Sequence, residues 1–262
     1  MCYDAADLPP FHGSPLTAVS SADLLLTAAD GAPLAAFRSL PAEPTGPAVL
    51  VLPDNRGLSR FYEELTKRLA EQGLPALAID YFGRTAGPDH RNRPAEFGQL
   101  PNLMPHLGAL TRDGLYADFD AALAHLRALP GAQHRCVISL GFCMGGRFAF
   151  LTAQHRFALS GAIGLYGFPD ALHGAPGPIQ LAAELTAPIL GLFAGADEGI
   201  PASMVAAFDE ELAAAGNHRE IITYPGATHG FFEADSGAFE QECADVWRRI
   251  LDFAQKHTSL GG

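Results

Sequence analysis

Apolar positions along the chain alternate between two spacings. Ala48-Val49-Leu50-Val51-Leu52 is an unbroken run of five, which predicts a short strand buried on both faces. Phe61, Leu65 and Leu69 then recur every four residues, the spacing of one apolar helix face, with Ser59 placed to cap the start and Gly73 the end. The same exchange of strand and helix repeats to the end of the chain. Residues 75–79 read as a strand, and Leu115, Phe119, Ala122 and Leu126 as a helix that Pro130-Gly131 closes. Residues 136–140 read as a strand and residues 148–153 as helix, with further strands at 162–165 and 189–193. Pro201 opens a helix carrying Val205, Phe208 and Leu212, which Gly216 ends. A last strand at 220–224 precedes a helix with Phe239, Val246, Trp247, Ile250 and Leu251.

Upstream, Leu24-Leu25-Leu26 and Leu34-Ala35-Ala36-Phe37 flank Asp30-Gly31, a hairpin turn signal. Residues 1–21 lack periodicity and are expected to run over the surface. Residues 83–110, rich in Gly, Pro, Asn and His, are expected to form an irregular loop at the functional site. No linker and no repeat interrupts the pattern. Strands alternating with helices predict a single α/β domain over residues 1–262, with one mostly parallel sheet of about eight strands and helices on both faces.

Composition removes several function classes. Of 262 residues, 29 are acidic and 17 are Lys or Arg, a formal net charge of −12, so binding to a phosphate backbone is not expected. The densest basic patch, His90-Arg91-Asn92-Arg93, is short. No stretch of about 18 apolar residues is present to span a membrane. The first residues show neither a basic nor an apolar leader segment, so a cytoplasmic location is expected. The four cysteines, Cys2, Cys136, Cys143 and Cys243, form no C-x-x-C pair, and the ten histidines show no metal-binding spacing. No nucleotide-binding glycine motif occurs, so neither a metal nor a cofactor is expected.

The sharpest motif is Gly141-Phe142-Cys143-Met144-Gly145-Gly146, between a strand and a helix. It has the form of a nucleophile elbow with cysteine at the nucleophile position. The turn there is strained, so its flanking side chains must be minimal, and the helix N-terminus favours a thiolate. A nucleophile needs a base, and the base an orienting acid. Asp197 follows the strand at 189–193 and His229 the strand at 220–224, so both fall on the rim that carries Cys143. Glu198 is the rival acid.

With the Gly195-Ala196-Asp197 and Thr228-His229-Gly230-Phe231 segments added, the chain resembles the dienelactone hydrolases (carboxymethylenebutenolidases) over residues 24–255. The resemblance implies an α/β-hydrolase fold and a Cys143, His229, Asp197 triad. It implies an oxyanion hole from the backbone N–H groups of Met144 and Asn55. It matches Asp54 to a family glutamate that holds the resting thiol and takes its proton, although Asp54 reads equally as a loop acid and is one methylene shorter. Arg84 matches an arginine that binds a substrate carboxylate. The family's second carboxylate-binding arginine is replaced by Glu233, which points to another ester or lactone; Arg56, Arg91, Arg93 and Arg112 are candidate substitutes.

The expected function is therefore cysteine-dependent hydrolysis of a small-molecule ester or lactone through a thioester, without cofactor. The alternative is a catalytically quiet ligand-binding protein on the same fold, and a thiol redox enzyme is a third reading. The sequence does not give the oligomeric state.

Overall fold

The structure, a computed structural model, describes residues 3–4, 6–91, 93–130, 136–172, 174–235 and 237–257. Its core is one eight-stranded sheet in the order β1-β2-β4-β3-β5-β6-β7-β8. β1 (Val19–Thr27) and β2 (Pro33–Pro41) form the antiparallel hairpin, and Asp30 accepts the N–H of Ala32 in its turn. β2 runs antiparallel to β4 (Ala76–Asp80). From there β3 (Ala48–Leu52), β5 (Val137–Phe142), β6 (Gly161–Leu165), β7 (Ile189–Ala194) and β8 (Arg219–Tyr224) are all parallel.

Every residue of β3 to β7 is buried, so both faces of these strands are covered. β1, at the edge, instead alternates between more and less exposed positions. The principal helices are α1 (Arg60–Glu71), α5 (Arg112–Arg127), α6 (Met144–Thr152), α7 (Ala202–Ala214) and α8 (Glu240–Lys256). No described helix is long and apolar enough to cross a membrane.

Four expectations are corrected. Residues 83–110 are largely helical: α2 (Gly83–Ala86), α3 (Arg93–Phe97) and α4 (Leu100–Gly108). Pro101 misleads because a proline in the first helical turn lacks an N–H that had no partner anyway. Residues 1–21 do not simply run over the surface, since Tyr3, Pro9 and Pro10 are buried and β1 begins at Val19. Ser59 occupies the cap position of α1, but its hydroxyl makes no cap bond. Phe239 precedes α8 rather than lying on it. Cys2 and Gly131 lie outside the described residues.

The strand order reverses around β3, which has β4 on one side and β5 on the other. In open α/β sheets the crevice beyond the strand carboxyl ends at such a reversal is the usual ligand site. Here that crevice lies between the ends of β3 and β5.

Candidate active site

Cys143 stands between β5 and α6 with φ 55° and ψ −114°, a conformation that costs an ordinary residue energy. Its N–H bonds the Leu165 carbonyl at 3.0 Å, which ties the turn to β6. Two glycines make the turn sterically feasible. A Cβ on Gly141 would overlap the carbonyl of Gly145, and a Cβ on Gly145 would overlap the carbonyl oxygens of Leu52 and Pro53. Met144 is the first residue of α6, so its N–H has no intrahelical acceptor and points, with the helix dipole, toward the thiol end. Cys143 is half-buried, whereas Cys136 and Cys243 are buried.

The register of β3 against β5 sets what faces the thiol. Leu52 pairs with Gly141, and two residues further on the same register carries Asp54 toward Cys143. Asp54 is buried, and its turn is held from several sides. Its N–H donates to the Tyr62 hydroxyl at 2.9 Å, and the Tyr81 hydroxyl donates to the Pro53 carbonyl at 2.8 Å. Its carboxylate accepts the N–H of Arg56 at 2.8 Å and of Tyr3 at 3.1 Å. Burial first, then the charge of Cys143, push this carboxyl up to about 7, against the donors on Arg56, Tyr3 and Tyr62. Asn55, half-buried, follows in the same turn.

His229 and Asp197 meet across the loops after β8 and β7. His229 Nδ1 lies 2.6 Å from Asp197 Oδ2, and the loops are joined by the Ala196 N–H donating to the Ala227 carbonyl at 2.9 Å. The His229 ring also bonds the Cys143 side chain. Asp197 is buried and further held by the Gly199 N–H at 2.9 Å, while Glu198 is exposed and takes no part in the pair. Burial opposes the charged ring of His229, but the bonds to Asp197 and Cys143 outweigh it and raise the group to about 9. Burial likewise pushes Asp197 up, and the His229 bond outweighs this to hold it below the usual carboxylate range. Cys143, Asp54, Asn55, Met144, Asp197 and His229 are thus gathered at one rim.

Arg84 is held by two acids. Its guanidinium binds the buried Asp118 of α5 through Nε at 3.0 Å and Nη2 at 2.8 Å, and it also pairs with Asp30 in the β1–β2 turn. Arg84 follows β4, two strands from β5, about 10 Å at ordinary strand spacing. The four candidate substitutes also have neighbours of their own. Arg56 holds the Tyr3 carbonyl and Asp4, Arg91 holds Asp23, Arg93 pairs with Asp80 in the interior, and Arg112 lies by Asp113. Glu233, half-buried, has its carboxyl raised by burial and then by Asp7 and Asp235, so its surroundings are acidic. Asp23, Glu63 and His90 bring three donor atoms within 4.8 Å, but Arg91 already supplies Asp23 with a cation at 2.6 Å.

Sequence reasoning gave no role to Tyr3 or Tyr62, and read Tyr81, near a strand end, as either acyl-pocket lining or core. Nothing local distinguishes a tyrosine whose hydroxyl braces a remote turn, as those of Tyr62 and Tyr81 do. Tyr3 sits in a segment with no periodicity at all.

The chain is similar to several known proteins. The model of the dienelactone hydrolase family matches residues 34–258. A Salmonella typhi protein named "Putative carboxymethylenebutenolidase" is 32% identical over 244 residues, 90% of this chain and 87% of that protein. An Escherichia coli K12 protein of the same name is 31% identical over 229 residues, 85% of this chain and 82% of that protein. A crystal structure titled as a "Putative Dienelactone Hydrolase" from Klebsiella pneumoniae superposes with a TM-score of 0.78 at 30% identity, covering 91% of this chain and 99% of that one.

Proposed function

Since the chain belongs to the dienelactone hydrolase family and is a hydrolase on an α/β-hydrolase fold, we propose that it cleaves a small uncharged ester or lactone through a Cys143 thioester. One observation carries the reading: His229 bonds the Cys143 side chain on one side and Asp197, at 2.6 Å, on the other.

In this mechanism the Cys143 thiolate attacks the carbonyl carbon, forming a C–S bond while the carbonyl electrons move to oxygen. The N–H groups of Met144 and Asn55 stabilise that oxyanion; one such donor is worth about 2.7–4 kcal/mol. Collapse breaks the C–O bond, and the departing alkoxide takes a proton from the His229 imidazolium. The neutral ring then takes a proton from water as it attacks the thioester, the C–S bond breaks, and the thiolate returns. Asp197 holds His229 in the orientation both transfers require. Asp54 accepts the thiol proton that must leave before attack. Its position near 7 suits an acceptor working at neutral pH.

The pH profile tests this assignment. Below about 7 Asp54 is protonated and cannot accept the thiol proton; above about 9 His229 has lost the proton it must deliver. The expected kcat/KM profile is therefore a bell with limbs near those values. Asp54→Asn should lower kcat/KM by about two decades and abolish the lower limb. A lower limb that survives in Asp54→Asn rules Asp54 out as the acceptor.

The preference for an uncharged substrate follows from the cations. Arg84 is consumed by Asp118 and Asp30, and Glu233 stands with Asp7 and Asp235. A lactone bearing a carboxylate would lack a charge-assisted contact worth roughly 1.5–3 kcal/mol, one to two decades in kcat/KM. The uncharged lactone of similar size should be cleaved faster by that margin, and Glu233→Arg should narrow the gap. A wild-type enzyme that prefers the carboxylate form, unimproved by Glu233→Arg, overturns the reading.

A further inference from the structure

Tyr3 is nearly inaccessible, at 2% exposure, and it is inserted beside the reacting groups rather than lying on the surface. Its ring stacks on Phe61 with centroids 3.6 Å apart and planes 9° from parallel. Tyr62 and Phe142 close two more sides edge-on, with centroids at 6.1 and 6.2 Å. Its hydroxyl meets the hydroxyl of Tyr166. These four walls, Phe61, Tyr62, Phe142 and Tyr166, are fully buried, so the ring fills a flat aromatic slot.

Contacts and chain connections tie the slot to the site. Phe142 directly precedes Cys143. Tyr166 lies 5.0 Å, ring to ring, from His229, in a backbone conformation with φ 38°. The Tyr3 N–H bonds Asp54 at 3.1 Å, and its carbonyl accepts Arg56 Nη1 at 2.9 Å, with Asp4 pairing to the same arginine. Five positions on, the Leu8 carbonyl accepts the Ala234 N–H at 2.8 Å, in the loop beyond His229. Three surface clefts, of about 610, 380 and 590 Å³, are lined by none of Cys143, His229 or Asp54.

We propose that Tyr3 is a specificity-determining residue: its ring occupies the aromatic slot beside Cys143 and restricts the enzyme to substrates with a short acyl group. Emptying the slot leaves a site of the right shape and chemistry for an aryl ring on the acyl side. Face and edge contacts come from Phe61, Phe142 and Tyr62, and the Tyr166 hydroxyl sits at the far end. The inference rests on the Cys143 reading given above.

The test compares kcat/KM for p-nitrophenyl acetate and p-nitrophenyl phenylacetate in wild type, Tyr3→Ala, Tyr3→Leu and Tyr3→Phe. The expected result is a phenylacetate-to-acetate ratio raised at least tenfold in Tyr3→Ala. Tyr3→Leu, which preserves apolar bulk should the alanine variant fail to fold, is expected to shift the ratio in the same direction. Tyr3→Phe keeps the ring and should retain the wild-type ratio. A folded Tyr3→Ala or Tyr3→Leu with an unchanged ratio overturns the proposal, whatever its melting temperature, and so does a wild type that already takes both esters equally. Activity that survives Cys143→Ala is a different failure, because it removes the site itself and the inference with it.

Discussion

Replacing Cys143 with alanine should lower kcat/KM for any ester substrate by about four to six decades, with the fold intact. The size follows from the loss of a nucleophile that acts as one unit with its base, where removing either member removes most of the catalytic power. What remains is stabilisation by the Met144 and Asn55 N–H groups and by binding, which does not open a covalent route. Alanine fits the turn no worse than cysteine on steric grounds, since the positive φ penalises any Cβ alike and wild type already bears that cost. The melting temperature should therefore change little. A companion measurement separates this thiol from those of Cys136 and Cys243. Iodoacetamide should label half-buried Cys143 before Cys136 or Cys243, which are 3% and 0% exposed, and activity should fall in step with that label. Esterase activity undiminished in Cys143→Ala would return the protein to the search for another nucleophile.

Gly145→Ala should give a large loss of stability from a single added methyl. The new Cβ meets two backbone oxygens, those of Leu52 and Pro53, and neither can swing away as a side-chain tip would. Both belong to the end of β3, whose next residues are Asp54 and Asn55. Relief therefore requires either β3 or α6 to move. Overpacking against a rigid partner typically costs about 1–3 kcal/mol, and two backbone contacts put this case at about 3 kcal/mol or more. For a chain of this size that is a fall of roughly 6–12 °C in Tm, read by thermal unfolding. Activity should fall further than the Tm suggests, because the shift that accommodates the methyl separates the N–H groups of Met144 and Asn55. A variant with wild-type Tm and kcat would show that the close approach of α6 to β3 is not required.

These two sites differ in how they were legible. The elbow at residues 141–146 is a short run whose Gly141 must clear the Gly145 carbonyl four residues on, although Gly145 itself answers to Leu52 and Pro53, far away in sequence. The glycines therefore announce the turn directly, and the strand before it and helix after it are written in apolar spacing. The same holds for the alternation that yields the sheet. A strand buried on both faces must be continuously apolar, and a helix against it must repeat every three or four residues, whatever lies elsewhere in the chain. The order Cys143, Asp197, His229 was legible for a related reason: residues just past the ends of parallel strands share one rim, and the pattern already implied parallel strands.

What only the tertiary structure decided concerns partners far apart in sequence. Arg84 reads as a free cation until α5 brings Asp118, 34 positions on, against its fork, and the hairpin turn brings Asp30 from 54 positions back. Asp54 reads equally as a loop acid until the register of β3 on β5 carries it to the thiol and burial raises it. Tyr3 carries no local signal, yet its N–H closes on the Asp54 carboxylate 51 positions away and its ring fills the slot beside Cys143. The physical reason is common to all three. Periodicity and turn sterics report the environment a segment needs on each of its faces, while the identity of the group that supplies that environment is fixed only when strand order and register set distant segments side by side.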